Sequence, residues 1–202
     1  MPTIDKLVFA TGNAHKLTEV KAMLADQGLE NLFLMQTLTD IGCTEDIPET
    51  ADTIEGNAVM KAEYIFQKYG HACFAEDTGL IVPALDGEPG IYSARYAGPQ
   101  RDANDNMDLL LKKLATQADR SAYFETVIAL VTKDETHCFS GRAPGTIIKE
   151  KRGAEGFGYD PIFVPEGYEQ TFAEIKSEIK NSISHRHHAM MAFIKYLKSQ
   201  SQ

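Results

Sequence analysis

A chain of 202 residues that is 43% hydrophobic can bury one full core and is neither disordered nor collagen-like. Its net charge of −9 leaves no broad basic face for nucleic acid or an anionic membrane, so an anionic ligand must meet a local group of cations or a metal. Cys43, Cys73 and Cys138 form no C-x-x-C pair, and neither a signal-peptide pattern nor a membrane-length apolar run is present, which points to a cytoplasmic protein without a disulfide framework or zinc ribbon.

Leu7 to Ala10 reads as a short buried strand. Thr11, Gly12, Asn13, Ala14, His15 and Lys16 then turn into a helix with Leu17, Val20 and Leu24 on one face, ending near Gly28. Strand, glycine turn and helix aim backbone N–H groups outward, so this turn either receives a phosphate beside Lys16 or merely caps its own helix. Neither a Walker A nor a G-x-G-x-x-G spacing occurs. Leu32 to Met35 is the second predicted strand. From Asp40 to Glu55 the chain is acidic and reads as a solvated loop, from which an acid such as Glu49 can still reach a metal. Thr53 to about Lys68 is predicted helical, with Ala58, Ala62, Ile65 and Phe66 inward and Gly70 at the end. Lys61 falls beside that stripe, either snorkelling at the surface or reaching a cleft.

Phe74-Ala75-Glu76-Asp77-Thr78-Gly79-Leu80 reads as a buried strand emptying into a tight turn. Alternation sends Glu76 and Asp77 to opposite faces, one toward a ligand and one structural. Asp77 is then a Mg²⁺ ligand or the base that activates a water, or else a turn acid capping the following backbone. Residues 86–90 double back, and Arg95 beyond them can bind phosphate or pair with an acid. Asn104 to Leu114 is predicted helical. Tyr123 to Thr132 and His137 to Arg142 form a hairpin that Gly145 to Lys149 extends. These elements predict an α/β protein in two lobes with a mixed sheet rather than a doubly wound parallel one. Gly153 to Pro161 is a glycine-rich loop whose aromatics, Phe157 and Tyr159, either stack on a base or plug the core. Lys180 leads to Ser184, a helix cap, and to a terminal helix with Met190, Phe193, Ile194 and Leu197 inward. His185 and Arg186 in its first turn face the positive end of the helix dipole, which is favourable only with an anion bound there. A metal site of His185, His187 and His188 lacks a helical i, i+4 pair.

Three stretches taken together, Thr11 to Lys16, Phe74 to Leu80 with Gly90 to Gly98, and Gly156 to Pro161 with Ser184-His185-Arg186, resemble the noncanonical purine nucleoside triphosphate pyrophosphatases, the inosine triphosphate pyrophosphatase family. The resemblance runs in order along nearly the whole chain. It implies a single domain of two α/β lobes around a long mixed sheet with a cleft between them, a Mg²⁺ requirement, a homodimer, and hydrolysis of ITP, dITP and XTP to the monophosphate and pyrophosphate. It implies that residues 11–16 and Lys61 hold the triphosphate, that Glu49 and Asp77 hold the metal, that Asp77 accepts the proton, and that Thr78 lies next to substrate. Phe157, Gly158, Tyr159, Asp160, Lys180, His185 and Arg186 become the base-binding set. Glu76 departs from the second aspartate of many members. Rival readings are a Maf-like pyrophosphatase for dTTP, UTP or modified pyrimidines, and a sensor that binds purine triphosphate without turnover.

Overall fold

The structure is a computed structural model that describes residues 6–29 and 33–200. In chain order it runs β1 (Lys6–Phe9), α1 (Ala14–Asp26), β2 (Leu34–Thr37), α2 (Ile54–Tyr69), β3 (Cys73–Ile81), β4 (Pro89–Gly90), α3 (Ala103–Lys113), β5 (Ser121–Val131), β6 (Thr136–Ile147), β7 (Phe163–Pro165), α4 (Ser177–Ile183) and α5 (His185–Gln200). The sheet has strand order β2-β1-β3-β5-β6-β7, with β4 on β3. Pairing is parallel for β1 with β2 and β3, and antiparallel for β3 with β4 and β6 with β7, so the sheet is mixed as the sequence predicts. Of the second predicted strand, Leu32 lies outside the described residues.

The chain divides into two compact units. One holds the residues up to Asp77 with Thr126–Gly141 and the chain from His187 on; the other holds Thr78–Glu125 and Arg142–Arg186. In the first, Phe9 stacks on Phe74 with ring centroids 4.5 Å apart, Phe74 meets Phe193 at 5.1 Å, and Leu7, Val20, Ile128 and Leu130 close around them. In the second, Phe124, Phe163 and Phe172 pack together with Leu80, Leu110 and Ile147. Each such large apolar side chain contributes about 1.5–3 kcal/mol by leaving water.

Local chemistry fixes the element ends. Thr53 caps α2 by accepting from the Gly56 amide at 2.9 Å, and Gly70, at φ 71, stops it in a left-handed conformation that a side chain would resist. Asp102 caps α3 through the amides of Asn104 and Asp105. Gly145 lets β7 approach, since a Cβ there would fall 2.3 Å from the Val164 carbonyl oxygen. One expectation is corrected. No turn follows Asp77: β3 continues to Ile81, because Thr78 and Gly79 remain extended and the amide of Leu80 donates to Ser93 Oγ at 2.9 Å. The stretch before the last helix is itself a helix, α4, separated from α5 by the extended Ser184.

Candidate active site

Residues 11–16 carry the chain out of β1 into α1. Thr11 Oγ1 accepts from the Asn13 amide at 3.1 Å, and Asn13 Oδ1 accepts from the Lys16 amide at 3.3 Å, so the helix start is capped from within. Gly12, Asn13 and Ala14 are exposed residues, and no heavy atom lies within 4 Å of where a Gly12 Cβ would stand, the glycine's own chain neighbours aside. The turn is thus capped from within and yet exposed. The side chain of His15 lies outside the described set.

Strand alternation separates the two carboxylates of β3. Glu76 turns inward, its side chain only 1% exposed, and pairs with Lys16 Nζ at 3.0 Å. Asp77 points the other way and meets α2, where Lys61 Nζ lies 2.9 Å from its Oδ1. The same ammonium lies 2.8 Å from Glu49 Oε1. Lys61 is thus buried under two carboxylates rather than snorkelling. Burial pushes its pKa down, but the charges of Asp77 and then Glu49, with their hydrogen bonds, outweigh it and leave the pKa above the usual lysine value.

Asn57, one helical turn before Lys61, was not singled out by the sequence reading. Its Nδ2 donates to Asp77 Oδ2 at 3.4 Å and its Oδ1 accepts from the Ala51 amide at 3.0 Å, which ties strand, helix and acidic loop together. The available signal was positional: a polar residue at i−4 to a lysine on an otherwise apolar stripe.

The loop that carries Glu49 is fastened earlier in its course, at Glu45. Glu45 Oε1 accepts from Lys68 Nζ at 2.6 Å, Tyr69 OH at 2.8 Å and Tyr64 OH at 3.0 Å, all from the second half of α2. The lysine first, and then Tyr69, hold the Glu45 carboxyl down at about 2. Among the described residues no group of three or more His, Cys, Asp or Glu side chains is placed to hold a metal. Two carboxylates converging on one cation position are nevertheless the oxygen set that Mg²⁺ takes when substrate phosphates supply the rest.

The second unit gathers the remaining predicted residues. Asp160 Oδ2 accepts from the Phe157 amide at 2.8 Å and from Lys180 Nζ at 2.6 Å, bracing the glycine-rich loop from below. Gly156, at φ 77, makes room for it, since a Cβ there would fall 2.1 Å from Asp160 Oδ2. Phe157 is left 39% exposed, with Lys180 Nζ 5.1 Å and the Arg186 guanidinium 5.9 Å from its ring centroid. The arrangement is an aromatic face flanked by two cationic donors. His185 stacks on Phe124 at 4.9 Å, and Tyr159 is buried, its hydroxyl donating to the Ser93 carbonyl at 2.8 Å. Of the two loop aromatics, one plugs the core and one is presented. Gly158 takes a left-handed φ of 63 between them. Thr78 is half-buried beside Asp77 in β3.

The sequence model of the Ham1 family matches residues 7–196. A dITP/XTP pyrophosphatase of Flavobacterium psychrophilum is 54% identical over 194 residues, covering 96% of this chain and 100% of the relative. Among solved structures, the Ham1 protein of Staphylococcus aureus superposes with a TM-score of 0.88 at 37% identity, covering 96% of this chain and 99% of that one. A nucleoside-triphosphatase, or dITP/XTP pyrophosphatase, of Mycobacterium abscessus does so with a TM-score of 0.79 at 40% identity, covering 95% and 99%.

Proposed function

Because the chain belongs to the Ham1 family, we propose that it hydrolyses noncanonical purine nucleoside triphosphates such as ITP, dITP and XTP to the monophosphate and pyrophosphate. The observation that carries this reading is the ammonium of Lys61 held between Glu49 and Asp77, one strand position from the buried Glu76–Lys16 pair. Glu49 and Asp77 are carboxylates suited to a divalent cation, and Lys61 and Lys16 are cations suited to phosphate.

In this reading the backbone amides of residues 11–16, with Lys16 and Lys61, bind the triphosphate and neutralise the departing pyrophosphate. Asp77, oriented by Asn57, accepts the proton of the attacking water as the bond between the α and β phosphates breaks. Glu49 and Asp77 would hold Mg²⁺, which when bound supplies charge neutralisation at phosphate oxygens. Phe157 offers the base a stacking face, and Lys180 and Arg186 supply hydrogen-bond donors. A purine C6 oxygen accepts from such donors, whereas adenine's amino group leaves them unpaired at about 1–3 kcal/mol each. The resemblance also implies a homodimer in the cytoplasm. Among the described residues no helix is long and apolar enough to cross a membrane.

The test is a panel of ITP, dITP, XTP, ATP, GTP, dTTP and UTP with Mg²⁺, scored for pyrophosphate against orthophosphate. Pyrophosphate from the inosine and xanthosine nucleotides is expected. Asp77→Asn should lower kcat by about 100-fold or more while keeping nucleotide affinity. Preference for dTTP or UTP, or tight binding of ITP with no pyrophosphate released, would overturn the assignment.

A further inference from the structure

Lys61 occupies a position that a phosphate-binding lysine does not need. Its ammonium touches Glu49 Oε1 and Asp77 Oδ1 at once, on a side chain only 8% exposed. Those are the carboxylates that the reading above gives to a divalent ion. An ammonium and a divalent cation cannot share the same two oxygens at contact distance, because like charges in a partly buried site repel strongly. Resting on that reading, we propose that Lys61 is a stand-in cation. In the nucleotide-free protein it fills the carboxylate pair, and it passes to the phosphate oxygens when a divalent ion takes that pair.

The surroundings suit such an exchange of partners. Asp77 is gripped on separate oxygens, Lys61 on Oδ1 and Asn57 on Oδ2, so the lysine can leave while the amide keeps the carboxylate aimed. Glu49 sits on a loop fastened at Glu45 on one side and by the Ala51 amide on the other. The helix carrying Lys61 is capped at Thr53 and Gly70, leaving the lysine's flexible four-carbon stem as the moving part. The pair at Lys16 is different in kind, since Glu76 faces inward and is 1% exposed, so Lys16 serves as a fixed cation. The consequence is linkage. Metal alone must displace the ammonium from both of its carboxylate partners, whereas metal arriving with a triphosphate brings that ammonium a new partner. Each ligand therefore raises the affinity of the other by one common factor.

Manganese binding, followed by its electron paramagnetic resonance signal, tests this on the whole protein with a nonhydrolysable inosine triphosphate analogue as the nucleotide. Nucleotide-free Lys61→Met should bind Mn²⁺ about tenfold or more tighter than wild type, and the analogue should tighten Mn²⁺ binding less in the variant than in wild type. Equal or weaker Mn²⁺ binding by a folded Lys61→Met overturns the proposal and leaves Lys61 an ordinary phosphate contact. Lys61→Gln, which keeps a donor to both carboxylates, makes the same comparison if the methionine variant does not fold. Failure of wild type to bind Mn²⁺ even with the analogue would instead remove the metal-carboxylate reading itself, and metal-independent pyrophosphate release would show that separately.

Discussion

Lys16 and Glu76 illustrate how one residue can carry both fold and function. Glu76 ends its side chain inside the first unit, where an ionised carboxylate is tolerated only beside a cation. Replacing Lys16 therefore has two effects that can be separated. Lys16→Met should raise KM for the triphosphate and also destabilise the protein by about 1–3 kcal/mol, below the cost of breaking a fully buried pair because the ammonium is 17% exposed. Lys16→Met with Glu76→Gln should recover much of the melting temperature and none of the KM. If KM recovers alongside stability, Lys16 acts only as the counterion of Glu76. The methylene that distinguishes Glu76 from aspartate extends the reach of its carboxylate toward Lys16.

At the scale of elements, α2 is the organiser, because it holds the acidic loop at both ends of its own length. Its first half presents Asn57 and Lys61, and its second half presents Tyr64, Lys68 and Tyr69 to Glu45. Since the folded pKa of Glu45 is depressed to about 2 from 4.5, this clamp contributes fully above about pH 4.5 and is lost as pH falls toward 2. Urea midpoints should therefore lie lower for Glu45→Gln than for wild type near neutral pH, and the gap should close between about pH 4.5 and 2. A gap independent of pH would mean that the glutamate packs rather than pairs. The clamp was not legible beforehand, because a run of acids in a loop looks solvated whatever faces it. Lys61 was legible only as an ambiguity, since helical spacing shows which face a lysine sits on but not what descends over it. By contrast, Thr53 and Gly70 gave the limits of α2 closely, because capping is chemistry between near neighbours. The continuation of β3 past Asp77 was hidden because Thr-Gly resembles a turn, and the extended backbone there depends on the partner Ser93.

Across the whole molecule, the two units share secondary structure as well as chain. β3 places Phe74 in the first core and Leu80 in the second, and β5 divides in the same way between Ile128 and Phe124. Breaking up one unit would leave the other with strands cut mid-length and with unpaired backbone N–H and C=O groups, each costly where it stays buried. The expected result is one cooperative unfolding transition, with calorimetric and van't Hoff enthalpies in agreement. Phe193→Ala in the first core and Phe172→Ala in the second test this from both sides. Each removes a fully buried ring at a cost of about 3–5 kcal/mol, and each should lower the melting temperature of the single transition without splitting it. If Phe172→Ala instead produced a separate low-temperature peak beside an unshifted main one, the units would be folding independently. The shared strands would then be joined in sequence alone, without joining the two cores in stability.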